Sequence, residues 1–165
     1  MNIRRILKHL FTTKAQVGRA FPRSTLTAIE TAIKAGETAH VGEIRFVVEG
    51  GLDGAPLYAG QSPRERAIEV FSQQRVWDTE HNNGLLIYLL LADRAVEIVA
   101  DRAIAARVDF REWESVCCEM ETAFTAAKFQ DGVIHGIQAV TLHLVKHFPA
   151  AGVALNELSD EPIVI

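Results

Sequence analysis

Residues 84–101 read GLLIYLLLADRAVEIVAD, and this stretch decides the fold. Leu85 to Ala92 is an uninterrupted apolar run, which is typical of a strand buried on both faces of a sheet. Asp93 and Arg94 follow as a short polar turn, and Ala95 to Ala100 is rich in the β-branched residues that strands favour. The two strands are therefore predicted to pair as an antiparallel hairpin, with Ala92 opposite Ala95.

A third strand is predicted upstream, from Val41 to Glu49, because apolar and polar residues alternate there. A helix that begins near Ser62-Pro63 and ends near Gln74 separates it from the apolar run. Strands joined through a helix normally run parallel, so the sheet is predicted to be mixed. The glycine-rich residues 50–60 are predicted to form a loop, and the tail after Pro149 has no clear period. Further helices are predicted over residues 24–35, 110–127 and 129–147, which together with the strands indicate an α/β layer domain.

The bulk composition favours one soluble domain with a sizeable core. The chain has 165 residues, of which 48% are hydrophobic, and a formal net charge of −4, which does not suggest a nucleic-acid partner. Its longest apolar run is far below the roughly 18 residues of a membrane span, and the N-terminus makes a poor signal peptide. Cys117 and Cys118 are adjacent, so a disulfide between them is not expected, and a reducing cytoplasmic location is predicted.

The charge is distributed unevenly along the chain. Residues 1–39 carry seven Lys/Arg and two Asp/Glu, whereas residues 40–165 carry ten and nineteen. Apolar residues between Ile3 and Phe11 follow helical spacing, with cations between them. Residues 1–21 are therefore predicted to contain a basic amphipathic helix. Such a helix either docks on a membrane surface or partner, or covers the domain's core with its cations facing water.

The two copies of Ala-Asp-Arg-Ala raise the question of whether Asp93 and Asp101 act together. They flank one strand and should lie roughly 26 Å apart, so they cannot share a proton or a metal. Asp93 is interpreted as a turn residue. Asp101 is predicted to lie opposite Leu86, at the end of the sheet where the Val41 strand begins. Eight polar residues should gather at this end: Glu43, Asp78, Glu80, His81, Asn82, Asn83, Asp101 and Arg102.

Such an acid-rich cluster can hold a hard cation or support acid/base chemistry, or it can simply cap loops. The opposite end of the sheet is a second candidate for a ligand site, since ligands often bind beyond the carboxyl ends of parallel strands. Asp53 and Asp93 are predicted to lie there. The motifs GxGxxG, GxxxxGK[ST], HExxH and GxSxG are all absent from the sequence. His143 and His147 are interpreted as residues on the face of a helix, and the two cysteines as helical residues.

Three segments together resemble the TPM domain family, which is named after thylakoid-lumen, phosphatase-like and related proteins. They are HVGEIRF (40–46), RERAIEVFSQQRVWDTEHNNGLLIYLLLADRAVEIVADRAIAARV (64–108), and the run from Trp113 through FQDGVIHGI (129–137) to HFP (147–149). The resemblance covers nearly all of residues 24–149. It implies a three-layer α/β/α sandwich around a small mixed β-sheet. It also divides the chain into an N-terminal helix (1–21), a TPM-like domain (22–149) and a tail (150–165).

The resemblance implies candidate site residues as well. A plant-lumen relative is linked to acid phosphatase activity, and many bacterial relatives are envelope proteins tethered to a membrane. The positions that match the family's acidic pattern are Glu43, Asp78 and Asp101, with Asn83 and Arg66 as polar companions. This chain departs from the family at residue 103, where alanine replaces the usual glycine.

Our leading hypothesis is a divalent-metal-binding, phosphatase-like domain that acts on phosphate esters. Asp101, Glu43 and Asp78 would be the ligands of a cation such as Ca²⁺ or Mg²⁺, and Asp101 and Glu43 could also serve as acid/base groups. Asn83 would orient these groups and contribute to cofactor binding. Arg66 or Arg102 would stabilise a phosphate. The alternative is a non-catalytic module that uses its basic N-terminal helix to dock on a protein partner, which could itself be membrane-associated, or on an anionic membrane surface.

Overall fold

The computed structural model describes residues 3–150 and 156–165 of the chain. Its strands are β1 (Glu43–Glu49), β2 (Gly84–Leu90), β3 (Ala95–Ala100) and β4 (Ile163–Val164). Its helices are α1 (Ile3–Phe11), α2 (Lys14–Ala20), α3 (Arg23–Glu37), α4 (Gly54–Ala59), α5 (Pro63–Gln73), α6 (Arg102–Ala105), α7 (Phe110–Thr125) and α8 (Phe129–His147).

The four strands form one mixed sheet in the order β3-β2-β1-β4. β1 and β2 pair in parallel, and β2 and β3 pair antiparallel. The predicted mixed sheet and α/β class are confirmed. α5 begins at a capping box, in which the Ser62 side chain accepts from Glu65 N–H and the Glu65 side chain accepts from Ser62 N–H.

β2 lies at the centre and separates two hydrophobic clusters. Leu85, Ile87 and Leu89 belong to a cluster that includes buried residues of α3, α7 and α8. Leu86, Tyr88 and Leu90 belong to a second cluster with residues of α4 and α5. The apolar run is continuous because a strand's side chains alternate between faces, and here both faces are covered. The three-layer α/β/α arrangement is therefore confirmed.

The register of the β2–β3 hairpin differs from the prediction by two residues. Leu90, not Ala92, pairs with Ala95, so residues 91–94 form the turn. The cause is a contact with β1: Leu91 N–H donates to Glu49 O, and Ala92 N–H donates to Gly50 O, each at 2.9 Å. Leu91 and Ala92 therefore continue the hydrogen bonding to β1 beyond the last residue pair between β2 and β3. As a result Asp101 lies opposite Gly84 rather than Leu86.

Two segments contain more regular structure than their sequence indicates. The predicted loop at 50–60 contains α4, whose first residue, Gly54, and C-cap, Gly60, both have positive φ. The tail contains β4, which pairs in parallel with β1 near Val47 and Val48. A strand of this length is too short to show a periodic pattern in the sequence, and it is recognised as a strand only by its pairing with β1.

The basic N-terminal segment contains two helices. α1 ends at Phe11 and α2 begins after Thr13, whose side chain forms a reciprocal capping box with Gln16. Most of the large apolar side chains of α1 are exposed, although Ile6 packs against the second cluster. Within residues 3–150 and 156–165, none of the helices has the length and apolar character that crossing a bilayer requires.

Candidate functional site at the amino end of the sheet

Backbone hydrogen bonds bring three predicted site residues to the end of the sheet where β1 and β2 begin. Glu43 N–H donates to Asn83 O at 3.0 Å, and Asp101 N–H donates to Gly84 O at 2.9 Å. Because β3 runs antiparallel to β2, its final residue meets the first residue of β2. We call this end of the sheet, with Glu43, Asn83 and Asp101, the amino-end site.

Asp101 is buried, and only half of its carboxylate is used. It is the N-cap of α6, and its Oδ1 accepts a hydrogen bond of 2.7 Å from Arg102 N–H. Its Oδ2 is buried and has no hydrogen-bond partner among the described residues. The Arg102 guanidinium is largely exposed, and its Nε lies 3.7 Å from Oδ1. A buried carboxylate oxygen without a donor is costly, so this atom is a candidate ligand.

Asn83 has a second oxygen of the same kind. Its Nδ2 donates to Val41 O, and its backbone N–H donates to Thr79 Oγ1 at 3.1 Å. These bonds fix the orientation of the amide, which is only 2% exposed. Its Oδ1 is buried and has no partner among the described residues. Asn83 and Asp101 thus each present one unpaired acceptor at the amino-end site.

Glu43 is buried beside them and is held by the tail. Its Oε2 accepts from the N–H groups of Glu157 at 3.2 Å and Leu158 at 3.1 Å. Burial raises the pKa of Glu43 above its ordinary value, although these two donors lower the pKa in part. Glu43 therefore holds a proton to higher pH than an exposed glutamate.

Two acids that the sequence analysis missed lie next to Glu43. Glu37 ends α3; its Oε1 accepts from Ile44 N–H at 2.9 Å, and its carboxyl hydrogen bonds to Asp160. Asp160 is only 5% exposed and accepts from Asn156 Nδ2 at 3.0 Å. Burial and the neighbouring acids raise the pKa of Glu37 to about 8. Nothing in the sequence pattern pairs a helix end with a residue of an aperiodic tail.

The other predicted site residues lie elsewhere or point to water. Asp78 is exposed in the 77–83 loop, where its N–H donates to Arg75 O. Arg66 lies at the opposite end of β1, where it binds both carboxylate oxygens of Glu49, at 2.9 and 3.2 Å. The structure therefore does not bring Arg66 to Glu43 or Asp101. Of the two arginines considered for a phosphate, only Arg102 adjoins the amino-end site.

The glycine that opens β2 is required by close packing. A Cβ on Gly84 would lie 1.9 Å from Val76 O, far inside any tolerated contact. This approach presses the end of the 77–83 loop against the segment that follows α5. The glycine of the NNG triplet thus serves the packing that positions Asn83.

The donor set suits a hard cation only in part. Among residues 3–150 and 156–165, no three His, Cys, Asp or Glu side chains are grouped as metal ligands. The Asp101 and Asn83 oxygens are nevertheless the carboxylate and amide donors that Ca²⁺ and Mg²⁺ accept. A cation here would have one carboxylate, one amide and backbone or water oxygens. Elsewhere, burial raises the pKa of the Cys117 thiol to about 12, so it remains protonated and unreactive at neutral pH.

Comparisons with known proteins agree with this architecture. A family model described as the TPM domain matches residues 18–142. The NMR structure of the BA42 protein from the psychrophilic bacterium Bizionia argentinensis is 26% identical, with a TM-score of 0.74, and covers 86% of this chain and 93% of that one. No curated protein matches the sequence.

Two solved domains share the fold at lower identity. The N-terminal domain of a P. gingivalis protein is 20% identical, with a TM-score of 0.56 and coverage of 74% of this chain and 76% of that one. The N-terminal domain of cg2496 from Corynebacterium glutamicum is 15% identical, with a TM-score of 0.54 and coverage of 80% and 78%. At these identities the likeness concerns the fold alone.

Proposed function

Because this chain belongs to the TPM domain family, we propose that it is a cation-dependent, phosphatase-like member, with the cation at the amino-end site. The observation that carries the proposal is the pair of buried, unpaired oxygens, Asp101 Oδ2 and Asn83 Oδ1. Both lie at the end of the sheet where β1 and β2 begin. The other polar atom of each side chain fixes its orientation: Asp101 Oδ1 accepts from Arg102 N–H, and Asn83 Nδ2 donates to Val41 O. Buried polar atoms normally have a hydrogen-bond partner, and a bound cation would satisfy both acceptors at once.

Each residue has a distinct role in this proposal. Asp101 and Asn83 would hold a divalent cation such as Mg²⁺ or Ca²⁺, which supplies charge stabilisation for a phosphate ester. Arg102, exposed beside Asp101, would bind the phosphate oxygens. Glu43, whose pKa is raised by burial, would retain the proton that a leaving oxygen needs. Asp78 is exposed and would contribute through water at most.

The first experiment is a titration of the full chain with Ca²⁺, Mg²⁺ and Mn²⁺, followed by backbone amide NMR. We expect shifts confined to residues 40–43, 79–84 and 101–103, and their loss in Asp101→Asn. Asparagine caps a helix about as well as aspartate, so this variant should stay folded. Asp109→Asn is the matched control, because Asp109 caps α7 in the same way but is exposed and lies outside the site.

Turnover is tested separately, with p-nitrophenyl phosphate as the substrate. Metal-dependent hydrolysis that Asp101→Asn abolishes and Asp109→Asn retains would support the whole proposal. Shifts without turnover would restrict it to cation binding. No shifts at saturating metal, or identical shifts in Asp101→Asn, would refute it.

A further inference from the structure

Helix α1 presents a row of large apolar side chains to solvent. Ile3, Leu7, Leu10 and Phe11 are 64%, 47%, 55% and 70% exposed. Their spacing of four, three and one residues places them on one face of a helix. Isolated exposed apolar residues are ordinary, but four on nine residues form a continuous patch of the kind that marks an interaction surface. We call these four residues the apolar row.

The opposite side of α1 fixes the direction in which the apolar row points. His9 is buried, and its Nδ1 accepts from Leu52 N–H at 2.8 Å while its Nε2 lies 3.1 Å from Asp93 Oδ1. Arg5 Nε donates to Asp93 Oδ2 at 2.9 Å, and Ile6 packs against the second hydrophobic cluster. The helix is thus attached mainly through polar contacts. This is the reverse of a helix that covers a core with its apolar stripe.

A positively charged cavity lies directly beside the apolar row. It has a volume of about 780 Å³ and lies between α1, α2 and the 91–94 turn. Lys8, Arg19 and Arg94 line it, and none of these three forms an ion pair within the described residues. Asp93 also lines the cavity, but Arg5 already neutralises its carboxylate. Phe11, which belongs to the apolar row, forms part of the same wall.

We propose that the apolar row and this cavity together dock the protein on the surface of an anionic lipid bilayer. The apolar row would enter the boundary between head groups and acyl chains, and the cavity cations would bind lipid phosphates. The proposal does not depend on the amino-end site, which lies at the other end of β1 and β2.

Charge complementarity favours a lipid surface over a second copy of the chain. The first 23 residues contain six Lys/Arg and no Asp/Glu, whereas the whole chain carries a net charge of −4. A symmetric dimer through the apolar row would bring the cations of two copies together, with no acid from the same segments to balance them. Anionic head groups supply that balance, and the apolar residues require no partner pocket.

The test is cosedimentation of the full chain with vesicles of phosphatidylcholine alone or mixed with phosphatidylglycerol, at low and high salt. We expect binding only to the mixed vesicles, and weaker binding at high salt. Lys8→Ala with Arg19→Ala should weaken binding by about 25-fold, since each cation near such a surface contributes about fivefold. Leu7→Ser with Phe11→Ser should abolish binding at both salt concentrations.

The matched control is Leu142→Ser with Lys146→Ala on α8. Leu142 is 72% exposed, so the pair removes the same residue types from a different face. All variants change exposed side chains and should keep the wild-type melting temperature. The control should bind as the wild type does.

Four outcomes would overturn the proposal. The first two are equal binding to neutral and mixed vesicles, and equal loss of binding in the α8 control. Another is a concentration-dependent dimer in light scattering that Leu7→Ser with Phe11→Ser dissociates while vesicles are not bound, which would make a second copy the occupant. The last is saturable binding of inorganic phosphate to the cavity cations by NMR without vesicle binding, which would make the cavity a site for soluble anions.

Discussion

Replacing Glu37 with glutamine should remove a large part of the pH dependence of stability. The carboxyl of Glu37 accepts from Ile44 N–H and hydrogen bonds to Asp160. In the folded protein its pKa is raised from 4.5 to about 8, chiefly by burial. The protonated form can donate to the Asp160 carboxylate, whereas the ionised form would place two negative charges in contact. A glutamine amide keeps both interactions at every pH.

The sign and size of the pH dependence follow from the pKa of Glu37 in the unfolded and in the folded protein. Because the folded value is the higher one, the stabilisation is complete below pH 4.5 and is lost as the pH rises to about 8. At about 1.4 kcal/mol per pH unit, the full shift would correspond to an upper limit of about 5 kcal/mol. Glu37 is only half-buried, so screening by water reduces this to about 2 kcal/mol. The free energy of unfolding of Glu37→Gln, minus that of the wild type, should therefore rise by about 2 kcal/mol from pH 5 to pH 9.

The assay is urea unfolding of both proteins across that range, with the Glu37 carboxyl titrated directly by ¹³C NMR. The difference between the proteins is the useful quantity, because burial also shifts the pKa values of Glu43 and His40, and the part of each shift that burial causes is common to both proteins. Glu161→Gln is the control, since Glu161 is an exposed glutamate of the same tail and should keep the wild-type profile. A flat difference, or a carbon resonance that titrates near 4.5, would refute the reasoning.

Two further predictions concern the sheet. Gly84→Ala should lower the free energy of unfolding by about 3 kcal/mol, because the new Cβ would clash with the backbone oxygen of Val76. The control is Gly18→Ala, which has open space around the new Cβ and should be neutral or stabilising. Equal urea midpoints for the two variants would contradict this prediction. Tyr88→Phe should cost about 1–2 kcal/mol in the same assay, because Tyr88 Oη donates to Glu49 Oε2 at 2.7 Å in a buried site. A wild-type midpoint for this variant would show that the bond contributes nothing net.

The sequence predicts the sheet well because its central strand has an extreme composition. Seven consecutive apolar residues from Gly84 to Leu90 fit only a strand covered on both faces, and each long helix has an apolar stripe that faces it. The hairpin register could not be predicted in the same way. It depends on whether Leu91 and Ala92 pair with β3 or with the end of β1, and that is a contact between distant parts of the chain.

The candidate site was predictable only where the chain itself enforces the geometry. Asn83, Gly84 and Asp101 meet because a hairpin must return to its starting edge, so any correct reading of the strands brings them together. Glu37 and Asp160 meet because a tail without periodicity folds back onto β1. Arg66 is a candidate by resemblance alone, and nothing in the sequence pattern reveals that its Nε and Nη2 donate to Glu49.

The two ends of β1 explain why a cation is expected at one and not at the other. Glu49, at the carboxyl end, is buried with Arg66 on both oxygens and the Tyr88 hydroxyl on one, so its charge is already balanced. Glu43, at the amino end, has only backbone N–H donors among residues 3–150 and 156–165, and they come from the tail. Arg45, on the strand between them, donates to backbone carbonyls of the tail instead of to a carboxylate.

Burying a carboxylate without a countercharge favours protonation or a bound cation. Glu37 and Glu43 favour protonation, since burial raises the pKa of each. Asp101, whose Oδ2 is buried without a donor among the described residues, is the group at which we propose a bound cation. At the carboxyl end the cations Lys8, Arg19 and Arg94 have no ion-pair partner in the part of the chain that the structure describes, and an anion is the partner that we propose there. We therefore propose ligands of opposite charge at opposite ends of one sheet, a cation at the amino end and anionic lipid at the carboxyl end.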